Sequence, residues 1–158
     1  MTVSLLVGSL RAMVETTNSP AEILAGLNRR LKERGTGFTT CLAIRISSAG
    51  SLVISNAGHL APYLNGKELV TSPAFPLGLD PNGTFAEQTF PFEPGDWQTV
   101  LTDGVPEATS QREPFGFDRT ANLSSSDANA IANAALQFGQ SDDITVISSE
   151  GLHHCPRS

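Results

Sequence analysis

The sequence contains little cysteine, no excess of basic residues and no long apolar run. Only Cys41 and Cys155 occur among 158 residues, too few for the disulfide framework of a small secreted domain. The net charge of −6 argues against nucleic acid or an anionic membrane as the main partner. Because no apolar stretch reaches about 18 residues, we predict no membrane span. No positive n-region precedes the apolar residues 1–10, so we interpret them as part of a core helix rather than a signal peptide and predict a cytoplasmic protein.

The composition is typical of a folded globular protein. Hydrophobic residues make up 39% of the chain and charged residues 16%. The length suits one domain with a real core, and no linker divides the sequence. We therefore predict a single domain over residues 1–150. Residues 151–158, which include the dense group His153, His154 and Cys155, are predicted to form a disordered tail.

Three helices are predicted. Apolar residues at helical spacing predict a core helix over residues 1–14. Ser19, Pro20 and Glu22 have the form of a capping box with proline at the first helical position, so the second helix is expected over residues 20–34. The third is expected over residues 127–138. The apolar stripe of the first helix consists of Val3, Leu6, Val7, Leu10 and Val14.

The remainder of the chain has the pattern of strands and turns. Asn65-Gly66 is the strongest two-residue hairpin signal. A polar stretch without predicted structure follows Asp103 to about Ser126. The order of elements predicts an α+β fold with helices packed on largely antiparallel sheets. The predicted strands cover residues 38–46, 51–55, 61–64, 68–71, 84–92, 97–101 and 144–149.

Acidic residues stand at the ends of two predicted strands. Asp103 follows strand 97–101, whereas Asp142 and Asp143 precede strand 144–149. If these strands are antiparallel neighbours, the carboxylates converge at one edge of the sheet. Carboxylates without Cys or a well-placed His form a hard-oxygen site that suits Mg²⁺ or Mn²⁺. The alternative is ordinary turn chemistry, in which Asp and the following Gly104, expected to adopt a positive φ, only reverse the chain.

The order of the motifs resembles that in the C-terminal two-thirds of the bacterial stage II sporulation protein E type phosphatases. These belong to the metal-dependent, type 2C-like (PPM) protein phosphatases. The resemblance runs from about Leu5 to about Ser149. It rests on Phe38-Thr39-Thr40, Asn56-Ala57-Gly58-His59, Pro76-Leu77-Gly78-Leu79, Pro94-Gly95-Asp96, Thr102-Asp103-Gly104-Val105, Phe115-Gly116 and Asp142-Asp143-Ile144-Thr145.

The resemblance implies an α-β-β-α sandwich that hydrolyses phosphoserine or phosphothreonine in proteins. It implies that Mn²⁺ or Mg²⁺ ions activate a water, with Asp103 and Asp142 as metal ligands and Asp143 as a neighbour that acts through water or caps the strand. The partner implied is a phosphoprotein, such as an anti-sigma-factor antagonist. His59 and Phe115-Gly116 are expected to have conformational and packing roles.

The family's first two strands, which carry Gly-Asp-x-x-Asp and Asp-Val-x-Gly, have no counterpart in this sequence. The resemblance therefore implies an N-terminally incomplete domain that retains too few carboxylates for two metal ions. We expect little or no phosphatase activity from the chain alone. We also expect an exposed sheet edge that drives a homodimer or a strand-exchanged oligomer.

Two other interpretations stay open. The chain can be a non-catalytic protein-binding module that keeps a degenerate phosphatase fold. It can also be an unrelated small α+β binding domain, if the order of the motifs is a coincidence. Neither the substrate, the upstream signal nor the physiological metal follows from the sequence.

Overall fold

The computed structural model describes the backbone of residues 2–35, 37–139 and 142–152, and the side chains of the same ranges except residues 2–6 and 34. The predicted cluster at His153, His154 and Cys155 lies outside the described residues. Within these ranges the chain forms α1 (Thr2–Val14), α2 (Pro20–Arg34), β1 (Cys41–Ser47), β2 (Ser51–Ala57), β3 (Tyr63–Leu64), β4 (Lys67–Glu68), β5 (Gln88–Pro91), β6 (Trp97–Leu101), β7 (Thr109–Ser110), β8 (Glu113–Pro114), α3 (Gly116–Leu123), α4 (Ala128–Gly139) and β9 (Val146–Glu150).

The chain is organised as two compact units. The first comprises the described residues of Met1–His59 and Thr71–Pro91, and the second those of Leu60–Val70 and Phe92–Ser158. Helices pack on antiparallel sheets in each unit, which confirms the predicted α+β class. No helix of the described residues is long and apolar enough to cross a membrane.

The first unit carries the sheet β1-β2-β5, with α2 packed on β1 and β2. β2 lies in the centre and is the most buried strand, because both of its neighbours cover it. The core between α2 and the sheet is apolar, as the spacing of leucines in α2 predicts. It is formed by Leu24, Leu27, Leu31, Ala57 and Leu77.

Helix α2 begins and ends where the sequence predicts. The Ser19 hydroxyl oxygen accepts a hydrogen bond from the Glu22 N–H (3.1 Å), and Gly35 adopts the left-handed conformation with φ +61°. The Glu87 carboxylate, just before β5, also lies at this helix start. It accepts from the Ser19 hydroxyl (2.6 Å) and the Ala21 N–H (3.1 Å), which satisfies a backbone donor with a favourable charge.

The prediction that the first helix is a core helix is wrong for its described side chains. Val7, Leu10 and Val14 are 40–50% exposed. The face that packs on α2 instead carries Ser9, which is 2% exposed, and Met13. Periodicity identified the residues that share a face, but α2 covers the other face.

The second unit carries the sheet β4-β3-β6-β9, against which α4 packs through β9. The predicted hairpin is confirmed: Asn65 and Gly66 both have positive φ (51° and 80°), as a tight two-residue turn requires. The Asn65 side chain also accepts from the Trp97 N–H (2.8 Å). The core comprises Tyr63, Leu101, Val105, Ala108, Phe115, Ile131 and Ala135.

The stretch after Asp103 is more structured than predicted. It contains the short hairpin β7–β8 and the eight-residue helix α3, in which only Thr120 is buried. Long-range contacts stabilise this region: the Phe115 and Phe138 rings pack edge to face with centroids 5.3 Å apart, and Arg119 lies over the Phe138 ring. The helix has only about two turns, too few for a window of 11 or more residues to identify it from the sequence pattern.

Ile131→Ala is expected to destabilise the protein by about 2–5 kcal/mol, because the Ile131 side chain on α4 is fully buried and its removal leaves a cavity. Leu136, on the same helix, is 45% exposed. We expect Leu136→Ala to cost less than about 1 kcal/mol. Urea unfolding of both variants measures the difference. Equal losses would contradict the assignment of the core.

Glu87 is expected to stabilise the protein only above acidic pH. The Ser19 hydroxyl, the Ala21 N–H and the charge of Arg45 lower the pKa of Glu87. A carboxyl whose pKa is lower in the folded state stabilises the fold above its unfolded pKa and loses that effect as the pH falls through the folded value. The difference in unfolding free energy between the parent and Glu87→Gln should therefore be largest at neutral pH. It should shrink below about pH 4.3, the ordinary glutamate value.

The matched control is Glu33→Gln, which removes an exposed helical carboxylate that has no such donors in the described part of the chain. Urea midpoints at neutral and acidic pH compare the two variants. If the difference in urea midpoint between the parent and Glu87→Gln increased on acidification, this interaction would not be its cause, because the effect would have the opposite sign.

Candidate metal centre

The end of β6 and the start of β9 meet at one edge of the sheet. Leu101 pairs with Val146 in an antiparallel ladder. Beyond that pair, the Thr102 N–H donates to the Thr145 carbonyl (3.0 Å), and the Thr145 N–H donates to Thr102 Oγ1 (2.9 Å). The predicted pairing of these strands is confirmed, and both acidic segments leave the sheet at the same edge.

Gly104 is required by a close approach of two backbones. A Cβ atom at this position would lie 2.4 Å from the Asp143 carbonyl oxygen, far inside van der Waals contact. The expectation that Gly104 provides a positive φ is wrong, since its φ lies outside the left-handed region. The missing side chain lets the two acidic segments touch.

The three predicted ligands are exposed and take part in local turns. The Asp142 carboxylate accepts from the Asp143 N–H (2.7 Å). The Asp103 carbonyl accepts from the Glu107 N–H (2.9 Å), which closes the turn after β6. The turn chemistry considered as the alternative is therefore present, and it orients the backbone that carries the carboxylates.

The three aspartates have the ligand type that a hard cation prefers, but too few such side chains lie together among the described residues. Asp103, Asp142 and Asp143 offer only carboxylate oxygens, which Mg²⁺ and Mn²⁺ prefer. However, no group of three or more His, Cys, Asp or Glu side chains among the described residues is placed to hold a metal ion. The assignment of the three aspartates as metal ligands stays a prediction.

Asn56 holds its own loop rather than facing an open site. Its side chain accepts from the His59 N–H (2.8 Å) and donates to the His59 carbonyl (2.9 Å) and to Thr71 Oγ1 (3.1 Å). Gly58 has φ +72° and packs against Pro76. The Asn56-to-His59 motif thus has the conformational role expected of it.

Two residues with positioning roles were missed by the sequence-based predictions. At the end of the ladder, the Thr102 hydroxyl oxygen accepts a hydrogen bond from the Thr145 N–H in place of a backbone carbonyl. Its position directly before Asp103-Gly104 was the sequence feature that could have indicated this role. Asn28, buried in α2, accepts from the Gly78 N–H (2.6 Å) and donates to the Asp80 carbonyl (2.9 Å). A lone asparagine in a helix gives no sequence signal for such a long-range contact.

Comparison with known protein families shows the family to which this chain belongs. The family model of stage II sporulation protein E (SpoIIE) matches residues 1–150. The chain belongs to the SpoIIE family. The comparison with curated proteins found no match.

Solved structures share the fold at low sequence identity. The RsbU and RsbW domains of Rv1364c from Mycobacterium tuberculosis match 98% of this chain with TM-score 0.81 and 21% identity. The SiaA-PP2C domain of Pseudomonas aeruginosa matches 94% with TM-score 0.71 and 20% identity. The SpoIIE phosphatase domain from Bacillus subtilis, presoaked with Mn, matches 95% with TM-score 0.59 and 18% identity. This SpoIIE-family chain covers 48%, 68% and 73% of these three chains, respectively, and so spans about half of the first.

Gly104→Ala is expected to lower the unfolding free energy by about 1–3 kcal/mol, because the added methyl group must push the Asp143 backbone away. The same substitution at Gly8, an exposed position in α1 where a Cβ meets nothing within 4 Å, should raise it by about 0.5–1 kcal/mol. Urea unfolding checks both signs. A neutral Gly104→Ala variant would show that the two segments are not in contact in solution.

Proposed function

We propose that this chain forms part of a metal-dependent phosphatase that hydrolyses phosphoserine or phosphothreonine in a protein substrate. The observation that carries the proposal is the junction of β6 and β9. Thr102 and Thr145 fix it by hydrogen bonds, and it sends Asp103 and Asp142 out from one edge of the sheet. Side chains on rigid strand ends are well suited to holding ligands in place.

Membership of the SpoIIE family and the names of the related structures support this activity. One related structure is named as a phosphatase domain presoaked with Mn, and another as a PP2C domain. Mn²⁺ is therefore the ion to test first, with Mg²⁺ as the other candidate. Asp103 and Asp142 are the proposed ligands, and Asp143 is the proposed neighbour that shapes the turn.

We infer that the chain on its own holds a divalent ion weakly and has little or no phosphatase activity. The affinity of a hard cation rises with the number and charge of its oxygen ligands. The described residues place fewer than three candidate side chains together. Thr102 and Gly104 then position a partial ligand set, not a complete catalytic centre.

The proposed partner is a regulatory phosphoprotein in the cytoplasm, of the type of an anti-sigma-factor antagonist. The M. tuberculosis relative carries RsbU and RsbW domains in one chain, which supports a protein substrate in a signalling system. A second candidate function is a non-catalytic module that binds such a protein. The shortage of grouped ligands among the described residues favours this alternative.

Mn²⁺ binding tests the proposed ligands. We expect the chain to bind Mn²⁺ with a Kd on the order of 1 mM, the weak end of the range for hard cations. Asp103→Asn and Asp142→Asn should each weaken binding roughly tenfold or more, because each removes a charged ligand. Asp118→Asn is the matched control: it removes the same charge from an exposed position on α3 and should leave the affinity nearly unchanged. The Kd of the parent chain and of the three variants is measured by electron paramagnetic resonance of the free Mn²⁺ during titration.

Hydrolysis of p-nitrophenyl phosphate in Mn²⁺ tests the inferred inactivity of the chain. Activity that disappears in Asp103→Asn would show a working centre and overturn the inferred inactivity of the chain. Mn²⁺ binding without hydrolysis would support a partial site. Affinities that do not respond to either ligand substitution would refute the metal centre itself.

A further inference from the structure

A small pocket lies beside the hairpin of β3 and β4, within the second unit. Its volume is about 290 Å³, at the lower limit of the roughly 300–1,000 Å³ that binding sites for small molecules occupy. A single long side chain therefore fits it better than a drug-sized ligand does. The lining combines apolar, aromatic and acidic groups, namely Leu60, Ala61, Tyr63, Glu68 and Phe117. We call it the Tyr63 pocket.

The register of the hairpin places a carboxylate beside an aromatic floor. Tyr63 pairs directly with Glu68 across the two strands, so the two side chains leave the hairpin on the same face. Tyr63 is 3% exposed and belongs to the core, which fixes its ring as the floor of the pocket. Burial raises the pKa of the Tyr63 hydroxyl, and the charge of Glu68 raises it further. The exposed Glu68 carboxylate therefore makes the electrostatic potential of the pocket negative.

Phe117 supplies a second aromatic ring. It is 58% exposed, whereas Phe115, two residues earlier in the chain, is buried in the core. The face of an exposed aromatic ring attracts a cation that lies within about 6 Å of the ring centre. Carboxylates bind the same cations by charge-assisted hydrogen bonds. The lining of the Tyr63 pocket thus has the groups that recognise a positively charged side chain.

The basic residue next to Glu68 does not neutralise the pocket. Lys67 pairs with Leu64, and successive residues of a strand point to opposite faces. The Lys67 side chain therefore leaves the hairpin on the face away from Tyr63 and Glu68. Among the described residues, no basic side chain lines the pocket.

The basic residue nearest to Phe117 in the sequence is held by other contacts. Arg119 Nη1 donates to the carbonyls of Pro114 (3.1 Å) and Phe115 (3.3 Å). The guanidinium carbon of Arg119 lies 5.0 Å from the centre of the Phe138 ring, in a cation–π contact. These contacts engage Arg119 with its own helix start and with α4. The Tyr63 pocket is therefore open to a cation from another molecule.

We propose that the Tyr63 pocket binds an arginine side chain of a partner protein. A guanidinium group is planar and weakly hydrated, so it stacks on the Phe117 ring while its N–H groups donate to the Glu68 carboxylate. A lysine ammonium group has no plane to stack and is hydrated more strongly. The net charge of −6 attracts basic partners to the whole chain, and the pocket selects arginine among their side chains. This proposal is independent of the metal centre and of phosphatase activity.

Nuclear magnetic resonance of the single tyrosine tests the proposal. Tyr63 is the only tyrosine among the 158 residues, so ¹³C-labelled tyrosine gives ring signals that need no further assignment. The probe is the capped tripeptide acetyl-Gly-Arg-Gly-amide, titrated at constant ionic strength without a metal ion. We expect saturable shifts with a Kd on the order of 1–10 mM, because one side chain supplies most of the contacts. The same peptide with citrulline or leucine in place of arginine should bind at least about threefold more weakly, since neither carries the charge.

Variants of the lining identify the groups that bind the peptide. Glu68→Gln and Phe117→Leu should each weaken the arginine peptide about threefold or more, because one removes the carboxylate and the other the aromatic face. Glu113→Gln is the control for charge, at an exposed position on β8. Phe75→Leu is the control for the ring, since Phe75 is 63% exposed and does not line the pocket. Both controls should leave the Kd nearly unchanged.

The outcomes that would overturn the proposal are distinct. Citrulline or leucine peptides that bind as tightly as the arginine peptide would show that the pocket does not select a cation. Equal losses in Glu68→Gln and Glu113→Gln would indicate general attraction to an acidic chain. An affinity that neither Glu68→Gln nor Phe117→Leu weakens, or no saturable shift well above the expected Kd, would refute the site. A ¹H–¹⁵N correlation spectrum of each variant confirms that the fold survives.

Discussion

The ladder between β6 and β9 determines where every candidate ligand lies. Five residue pairs fix its register, and the hydrogen bonds of Thr102 with Thr145 extend it to the sheet edge. A slip by one residue would turn each side chain to the other face of the sheet. It would also place a different residue against the Asp143 carbonyl, where only Gly104 fits. The geometry of the acidic segments thus depends on backbone pairing rather than on the acids themselves.

Sequence patterns predicted the elements that local chemistry decides. The Ser19 cap, the Gly35 stop and the Asn65-Gly66 hairpin each depend on a few neighbouring residues, and each is observed. Helix α3 was missed because contacts between distant residues, such as Phe115 with Phe138, hold its region in place. The exposure of α1 was missed for a related reason: helical spacing shows which side chains share a face, but not whether a neighbour covers it.

The position of the acidic segments could be predicted from the sequence, and the family resemblance also implied too few carboxylates for two metal ions, but the close backbone contacts between the segments could not be predicted. The residues at strand ends identified Asp103 and Asp142, and the antiparallel order brought their segments to one edge. The role of Gly104 was misjudged, because its constraint comes from a backbone far away in sequence. The direction in which each carboxylate leaves its turn could not be predicted either. It depends on the backbone of both segments, which contacts between residues distant in sequence, such as the Thr102–Thr145 bonds, hold together.

The turn role and the ligand role of Asp142 are compatible. A carboxylate has about four acceptor positions, and the Asp143 N–H uses one of them. That bond holds the carboxylate in a defined orientation, so a cation that binds there does not have to order the side chain first. Local turn chemistry is therefore a means of preparing a ligand, and its presence does not argue against a metal. A single carboxylate oriented in this way cannot replace further ligands, because the affinity of a hard cation rises with the number and charge of its oxygen ligands.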